Sequence, residues 1–413
     1  MNVKAIIKNS TLLHSFINLC VVDGVNYLLP FLALPFLYRT LGADTYGVIA
    51  SAYSLFTFSI IVIDFGFGLS ATRDVSLNVN DSIELNKIVN VTLKAKGILL
   101  LLVLIISAVV IECTSFREHS KIFYLMIGIP IGSCLFPVWF FQGMEKMSYM
   151  TTTTTLAKLL SFVPMFIIVR GPKDAEWVSF FYSCGFIVSG IISVIILHKN
   201  FGIMICKTKT THIFLSLKNS APYFLSRISA SLYGAGNMIL IGILCSTLIA
   251  GYYDSAQKLL SVFTAALAPL TTALYPYMIK RRNVKVFKKI FIGLGGVGFL
   301  ISITCFLGAE FILKWLYGES PELTIKIFKI LFLSTSFLIP SYLLGYPFLA
   351  ALGHVKFTNM TVVIAGVIYL IAISLAIYLD SFSVIYASII YVICEFIVFI
   401  LRIYGVYKYK LIK

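Results

Sequence analysis

The chain has 413 residues, of which 59% are hydrophobic and only 12% are charged, and its formal net charge is +16. A soluble globular domain carries about a quarter charged residues, so this composition excludes an ordinary soluble protein. Uncharged apolar runs of about 20 residues recur along the chain, which is typical of transmembrane helices. Because lipid offers no hydrogen-bond partners and the runs lack the alternation of barrel strands, we predict an all-α polytopic membrane protein.

The excess of positive charge has two interpretations, nucleic-acid binding and membrane topology. The most basic stretch, KRRNVKVFKK at 280–289, directly follows an apolar run. This placement favours a cytoplasmic anchor at the lipid surface, so we expect no nucleic-acid partner. The eight cysteines form no CxxC pair, and P-loop, HExxH and GxSxG motifs are missing. We therefore predict no metal site, no resident cofactor and no enzyme activity.

Twelve spans are predicted in chain order. The first is a retained helix, because its apolar run exceeds the signal-peptide core of about 7–15 residues. No connecting loop is long enough to form a separate soluble domain. The spans cover, within a few residues, 12–38, 46–69, 91–112, 122–142, 148–169, 177–197, 219–244, 250–278, 290–314, 328–351, 359–379 and 383–405.

The distribution of basic residues predicts the orientation. With a cytoplasmic N-terminus, 22 of the 33 Lys and Arg residues fall in cytoplasmic segments, including Lys96 and Arg402, and 8 fall in external segments. Lys and Arg accumulate on the cytoplasmic side of membrane proteins. We therefore expect both termini in the cytoplasm.

An internal repeat predicts two bundles. IKNS at 7–10 reappears as LKNS at 217–220, and a pattern of Ala, Tyr and a terminal Phe-Thr at 43–57 reappears at 250–264. Each half holds six spans, an even number, so both halves begin on the same side of the membrane. This is the parallel-repeat architecture of transporters. We predict an N-terminal bundle at 1–205, spans 1–6, and a C-terminal bundle at 206–413, spans 7–12.

Prolines interrupt two of the spans. Pro30 and Pro35 lie in span 1, and Pro340 and Pro347 lie in span 10. Proline removes a backbone hydrogen bond and kinks a helix. In membrane helices such kinks accompany a cavity or hinge, or simply accommodate packing, and the sequence leaves both alternatives open.

Several ionisable residues lie deep within spans. Their depths follow from a rise of about 1.5 Å per helical residue. Asp23 lies roughly 17 Å into span 1, and Lys158 lies roughly 15 Å into span 5. Arg227 lies roughly 12 Å into span 7, and Glu395 lies roughly 18 Å into span 12. Asp64 lies near the cytoplasmic end of span 2. A charge at such depth costs at least a few kcal/mol, so it faces a cavity or a partner.

Asp254 and Lys258 are four residues apart, the favourable order for an ion pair on one helix face. The pair either satisfies itself structurally or lines a cavity and exchanges partners during transport. For Lys158 and Arg227 we expect a water-filled cavity of cationic character. Such a cavity suits an anionic substrate such as a phosphate, and nearby carboxylates can bind a coupling proton or sodium ion.

Four sequence segments resemble those of a known family. With them, the chain resembles the O-antigen (Wzx-type) flippases, in the polysaccharide transporter family of the multidrug/oligosaccharidyl-lipid/polysaccharide exporter superfamily. The resemblance extends over the full length. The segments are YLLPFLALPFLYRTLGADTYG at 27–47, DFGFGLSATRDVS at 64–76, PVWFFQGMEKM at 137–147 and AGYYDSAQKL at 250–259.

The resemblance implies two six-helix bundles in a V around a central lumen, in the bacterial inner membrane. It implies alternating-access flipping of undecaprenyl-pyrophosphate-linked O-antigen repeat units from the cytoplasmic to the periplasmic leaflet, coupled in several members to a proton or sodium gradient. The implied partners are the lipid-linked oligosaccharide, membrane lipids, an O-antigen polymerase and a chain-length regulator. Family motif positions fall on Arg39, Asp64, Arg73, Gln142 and Lys258.

Combining depth and resemblance gives two sets of candidate residues. The substrate-binding candidates are Arg227, Lys158, Lys258, Asp254, Arg39 and Arg73. The ion-coupling candidates are Asp23, Asp64 and Glu395.

Three other functions are compatible with a polytopic membrane protein. A drug or metabolite antiporter on the same fold stays open as the main alternative. A membrane enzyme such as an O-antigen polymerase or ligase is expected to carry a large periplasmic loop, whereas the longest external loop here has only about 13 residues. A structural scaffold is disfavoured, because it gains nothing from costly interior charges.

Overall fold

The computed structural model of the chain describes residues 10–411, except for the side chains of 10–28, 266, 268, 269, 272, 273 and 276. Within this part the chain forms helices and connecting turns, with no β-strand. The predicted all-α class is therefore confirmed.

The helices up to residue 201 include one of unusual length. They are α1 Ser10–Asp64, α2 Phe67–Leu77, α3 Ser82–Cys113, α4 Ser120–Leu125, α5 Gly128–Leu135, α6 Val138–Gly143, α7 Met147–Ile168 and α8 Ala175–Phe201. Short 3-10 turns at Ser115–His119 and Pro172–Asp174 precede α4 and α8.

The remaining helices contain two π-helical segments, Leu232–Gly236 and Leu344–Ala350. The helices are α9 Thr210–Ser231, α10 Asn237–Leu244, α11 Thr247–Ala266, α12 Ala268–Arg281, α13 Val284–Leu307, α14 Ala309–Tyr317, α15 Glu322–Leu333, α16 Thr335–Leu343, α17 Val355–Tyr378 and α18 Val384–Lys408.

Among the described residues, nine helices are long and apolar enough to cross a membrane, and one bent pair makes ten. The bent pair, Ser115–Leu125 with Gly128–Gly143, corresponds to predicted span 4. The structure runs spans 1 and 2 together in α1, and it divides span 8 between α11 and α12. The chain is thus a multi-pass membrane protein, while the number twelve stays a prediction.

The long helix α1 is not uniformly helical. Its backbone departs from helical geometry at Gly42, with φ 76° and ψ 161°, in the stretch between predicted spans 1 and 2. Glycine adopts a positive φ without the steric cost that a Cβ imposes. The sequence therefore places its break between the two spans at the residue best suited to it.

Packing divides the chain into two units. Unit 1 contains the described residues up to Leu41, together with Ser59–Ile111 and His119–Ala221, and unit 2 contains Gly42–Phe58, Glu112–Glu118 and the residues from Pro222 onward. The predicted bundles 1–205 and 206–413 are defined by the repeat rather than by packing. That division stays a prediction.

Unit 1 is held together by aromatic packing and by close helix contacts. Phe67, Trp139 and Phe140 are fully buried in its core. Helices α5 and α8 approach so closely that a Cβ on Gly132 would lie 2.1 Å from the Phe186 carbonyl oxygen. Small residues permit such close approach, which membrane helices use because the hydrophobic effect does not drive their association in lipid.

Unit 2 contains a satisfied polar network around the buried Asn237. The Asn237 amide nitrogen donates to the Tyr253 hydroxyl at 2.9 Å and to the Ala387 carbonyl at 3.2 Å, and its oxygen accepts from the Tyr369 hydroxyl at 3.0 Å. These bonds join α10, α11, α17 and α18. A fully hydrogen-bonded buried network fixes one arrangement of the helices, because moving one helix relative to the others would leave polar atoms unpaired.

Unit 2 also contains a backbone contact between repeat-related segments. A Cβ on Gly47 would lie 1.8 Å from the Thr247 carbonyl oxygen, and one on Gly251 would lie 2.1 Å from the Ala43 carbonyl oxygen. The Thr247 hydroxyl also donates to the Asp44 carboxylate. Two glycines therefore bring the start of the second predicted span against α11.

Gly47→Ala and Gly251→Ala are each expected to lower the free energy of unfolding by about 1–3 kcal/mol, because the added methyl group overlaps backbone atoms that cannot rotate away. The measurement is the thermal midpoint of the purified protein in detergent. Gly296→Ala is the matched control, since nothing lies within 4 Å of an added Cβ there. Midpoints that are equal for all three variants would contradict the close contact.

Candidate functional site

A cavity of about 360 Å³ lies within unit 2. It is lined by residues of α9, α11, α16, α17, α18 and the first π-helical segment. Its polar lining consists of Tyr233, Gln257, Ser261, Thr264, Tyr342, Tyr391, Glu395 and Arg402. Small-molecule sites have volumes of roughly 300–1,000 Å³, so the cavity lies at the small end of that range.

The two charges of the cavity lie on one helix. Glu395 and Arg402 are seven residues apart on α18, which places them two turns apart on the same face. Their relative exposures are only 5% and 7%. Buried charges of opposite sign normally pair directly, yet in the described structure these two make no direct ion pair.

Arg402 is instead bonded to a distorted helix. Its Nη1 donates to the Ser341 carbonyl oxygen at 2.7 Å and to the Ser341 hydroxyl at 3.1 Å. At Gly345, whose ψ is −112°, the backbone leaves helical geometry, and a Cβ there would lie 2.9 Å from Nη1. Pro347 has no N–H to continue the ladder. The break predicted from prolines in span 10 therefore provides room for the guanidinium group.

Glu395 makes no comparable hydrogen bonds in the described structure. In the part of the chain that the structure describes, its carboxylate makes no hydrogen bond, although the side chain is buried and lines the cavity. A buried carboxylate without a partner is costly, and native structures retain one where it has a function or binds something. This carboxylate is thus the strongest indication of a functional site in unit 2.

The predicted Asp254–Lys258 pair is present, with Nζ 3.7 Å from Oδ2. Asp254 is 3% exposed and also accepts a hydrogen bond of 2.5 Å from the Tyr46 hydroxyl. Lys258 lies 5.0 Å from the centre of the Tyr53 ring. These contacts satisfy both charges, and neither residue lines the cavity. The pair therefore stabilises the contact between α1 and α11.

The other predicted substrate-binding residues are distributed over both units. Arg227 lies on α9 in unit 2 and is exposed, whereas Lys158 lies on α7 in unit 1 and is half-buried. Arg39 and Arg73 are exposed residues of unit 1, and Arg73 forms an ion pair with Asp74 at 2.9 Å. Their roles in binding stay predictions.

The ion-coupling candidates differ in how far the structure describes them. Asp64 ends α1 and is half-buried, and Glu395 lines the cavity. The side chain of Asp23 lies outside the described residues. Their coupling role also stays a prediction.

Two basic residues at the ends of predicted spans are buried, and the side of the membrane on which they lie stays a prediction. The charge count placed Lys96 and Arg402 with cytoplasmic segments, but both are buried between helices. Lys96, 2% exposed, donates to the Ser133 carbonyl oxygen at 3.0 Å. The spacing of Arg402 from Glu395 was the available signal, since seven residues bring both side chains to one helix face.

Residues 12–282 match the family described as "Polysaccharide biosynthesis protein". The chain is also 32% identical over 333 residues to a Shigella dysenteriae protein named as an O-antigen transporter, covering 76% of this chain and 83% of that one. The chain belongs to this family. A second member, an Escherichia coli K12 protein with the same designation, is 26% identical over 328 residues, covering 78% and 79% of the two chains.

Solved structures reveal the fold of this family member. It matches an inward-facing multidrug resistance MATE family transporter of the MOP superfamily with a TM-score of 0.65 at 14% identity, covering 92% of this chain and 97% of that one. It matches lipid II flippase MurJ in an inward closed conformation with a TM-score of 0.67 at 13% identity, covering 94% and 87%. The chain therefore has the fold of MOP superfamily transporters.

Proposed function

We propose that this protein is a flippase that moves lipid-linked O-antigen repeat units from the cytoplasmic to the periplasmic leaflet of the bacterial inner membrane. Membership of the polysaccharide biosynthesis family, with relatives named as O-antigen transporters, carries the proposal. The polar cavity inside a predominantly apolar helical unit supports it, since a glycan needs a hydrated, hydrogen-bonding path through lipid.

The proposal includes an undecaprenyl-pyrophosphate carrier and a mechanism of alternating access, with both termini in the cytoplasm. The pyrophosphate requires cations, and Lys158, Arg227, Lys258, Arg39 and Arg73 are the candidates. Arg recognises phosphate through two parallel hydrogen bonds and Lys as a point charge. Of these, Lys258 is the weakest candidate, because Asp254 already neutralises it.

The proposal further assigns energy coupling to a proton or sodium gradient. Glu395 is the best candidate for the proton within the described structure, because its carboxylate makes no hydrogen bond or direct ion pair that protonation would break. Asp64 and Asp23 stay secondary candidates. After transport, the product is expected to pass to an O-antigen polymerase and its chain-length regulator.

Export of drugs or metabolites is the competing function, favoured by the shared fold with a multidrug resistance transporter. At 14% identity that likeness bears on the fold alone. The two functions require different ligands, so they are separated by the phenotype of a deletion strain.

Deleting the gene in its native bacterium is expected to abolish long-chain surface glycan and to cause lipid-linked repeat units to accumulate on the cytoplasmic side. The measurement is gel analysis of surface polysaccharide, with the wild-type gene on a plasmid as the control. Normal long-chain glycan together with altered drug resistance would exclude the flippase function and favour the antiporter.

A further inference from the structure

The cavity in unit 2 offers more hydrogen-bonding groups than the protein itself uses. Beside the Glu395 carboxylate, the hydroxyls of Tyr233, Tyr342 and Tyr391 and the amide of Gln257 have no hydrogen-bond partner in the described structure. This contrasts with the nearby Asn237, whose side chain is fully bonded. Tyr233 and Tyr391 are buried, Gln257 is half-buried and Tyr342 is exposed. Polar groups that converge on one cavity without a protein partner indicate that a ligand binds there.

The charge of the cavity restricts the class of that ligand. Glu395 and Arg402 bear opposite formal charges, and the remaining polar groups are neutral, so the lining has no net formal charge. A phosphate would meet one guanidinium group, whose Nε has no hydrogen-bond partner in the described structure, and a repelling carboxylate. A metal cation would meet one carboxylate and a repelling guanidinium group, and the described residues contain no cluster of three metal-binding side chains. Both kinds of ion are therefore disfavoured.

The walls favour a neutral ring with many hydroxyl groups. The Tyr233 and Tyr391 rings lie 5.9 Å apart at a steep angle of 61°. Such aromatic faces pack against the C–H face of a sugar ring, while carboxylate, amide and phenol groups bond to its hydroxyls. The volume of about 360 Å³ lies at the small end of the range for small-molecule sites. It thus suits one sugar ring rather than a whole repeat unit.

We propose that this cavity is a monosaccharide subsite that holds one neutral sugar ring of the transported glycan. The inference rests on the proposed transport function and assigns to this cavity the recognition of the sugar. Glu395 accepts hydrogen bonds from two sugar hydroxyls, and Tyr391 provides both a ring face and a hydroxyl. Arg402 is a positioning residue, because it fixes α16 against α18 and neutralises the carboxylate.

The position of Arg227 fits this assignment. It lies three residues before Ala230, a lining residue, and therefore one turn away on the same face of α9. A cation there can contact a phosphate attached to the sugar without entering the neutral cavity. The subsite is thus suited to the sugar next to the phosphate.

The first test measures binding of the free repeat-unit oligosaccharide, released by mild acid from its carrier, to the purified full-length protein by calorimetry. We expect Glu395→Gln to weaken the dissociation constant at least tenfold and Tyr391→Phe about fivefold, from loss of a charged and a neutral hydrogen bond. Tyr386→Phe is the matched control on the same helix. Its hydroxyl donates to the Ala372 carbonyl outside the cavity, so binding should stay within twofold.

The second test locates the ligand without altering the binding groups. In a cysteine-free background, Ser261→Cys places a thiol on the cavity wall, and Ser381→Cys places one in an exposed turn. We expect the oligosaccharide to slow maleimide labelling of the first about tenfold and of the second not at all. If sodium chloride slows maleimide labelling of the Ser261→Cys thiol and the oligosaccharide does not, the sugar subsite is overturned in favour of a cation site.

The outcomes separate this inference from the transport function. Equal oligosaccharide affinity in wild type, Glu395→Gln and Tyr391→Phe would overturn the subsite, whatever the deletion strain shows. Normal surface glycan in the deletion strain would overturn the transport function itself. Size-exclusion profiles identify any variant that misfolds. In that case the labelling test decides whether the oligosaccharide binds in the cavity.

Discussion

Arg402→Met is expected to lower the free energy of unfolding by about 3 kcal/mol, the largest effect on stability that we predict for a single substitution. Removing the guanidinium group leaves the buried Glu395 carboxylate without a neutralising charge and takes two hydrogen bonds from Ser341. Loss of one charge from a buried set costs about 3–5 kcal/mol when the charges pair directly. The lower value applies here because the two groups are not in direct contact.

A double-mutant cycle isolates the electrostatic part of this loss. Glu395→Gln in the Arg402→Met background should recover more than 1 kcal/mol, because the uncompensated charge is then gone. Denaturation in detergent provides the free energies. Arg281→Met, at an exposed position, is the control and should change stability by less than about 0.5 kcal/mol. Strictly additive effects would show that the two charges do not interact.

Arg227→Ala and Lys158→Ala, each made alone, are expected to reduce long-chain surface glycan at least tenfold while the protein still inserts. Both remove a cation that we propose to contact pyrophosphate, and a hydrogen bond to a charged group contributes about 1.5–3 kcal/mol. Gel analysis of glycan and immunoblots of membranes provide the readouts.

The controls for these two variants are Arg281→Ala and Lys356→Ala, which remove exposed cations at positions predicted to be cytoplasmic. Full glycan display in all four strains would remove the argument for cationic binding sites. Loss of display in the controls as well would indicate a general requirement for basic residues in topology instead.

Composition predicted the fold class correctly, because lipid permits few kinds of spanning structure. The sequence also predicted the Asp254–Lys258 pair, since four residues on one helix fix the geometry locally. It could not predict that Tyr46 donates to the same carboxylate, 208 residues apart in sequence. Contacts of that range depend on how helices pack, which a single sequence does not specify.

The cavity shows a second limit of sequence reasoning. Glu395 was identified by its depth, but Arg402 was counted as a loop residue because it lies near the end of a predicted span. Its burial depends on the room beside Gly345, where α16 gives way to a π-helical segment. The prolines of span 10 indicated a distortion there, but a distortion alone does not tell which side chain occupies the space.

Transport of a lipid-linked oligosaccharide by the purified protein in liposomes is the direct test of flippase activity. A substrate with a labelled glycan is placed in both leaflets. The half in the outer leaflet is open to an external membrane-impermeant glycosidase at once, and the half in the inner leaflet becomes accessible only after flipping. We predict complete digestion with wild-type protein, digestion of about half of the substrate in protein-free liposomes, and a rate at least tenfold slower with Glu395→Gln. Digestion that stops at the protein-free level with wild-type protein, under pH and sodium gradients of either direction, would contradict the assignment as a flippase.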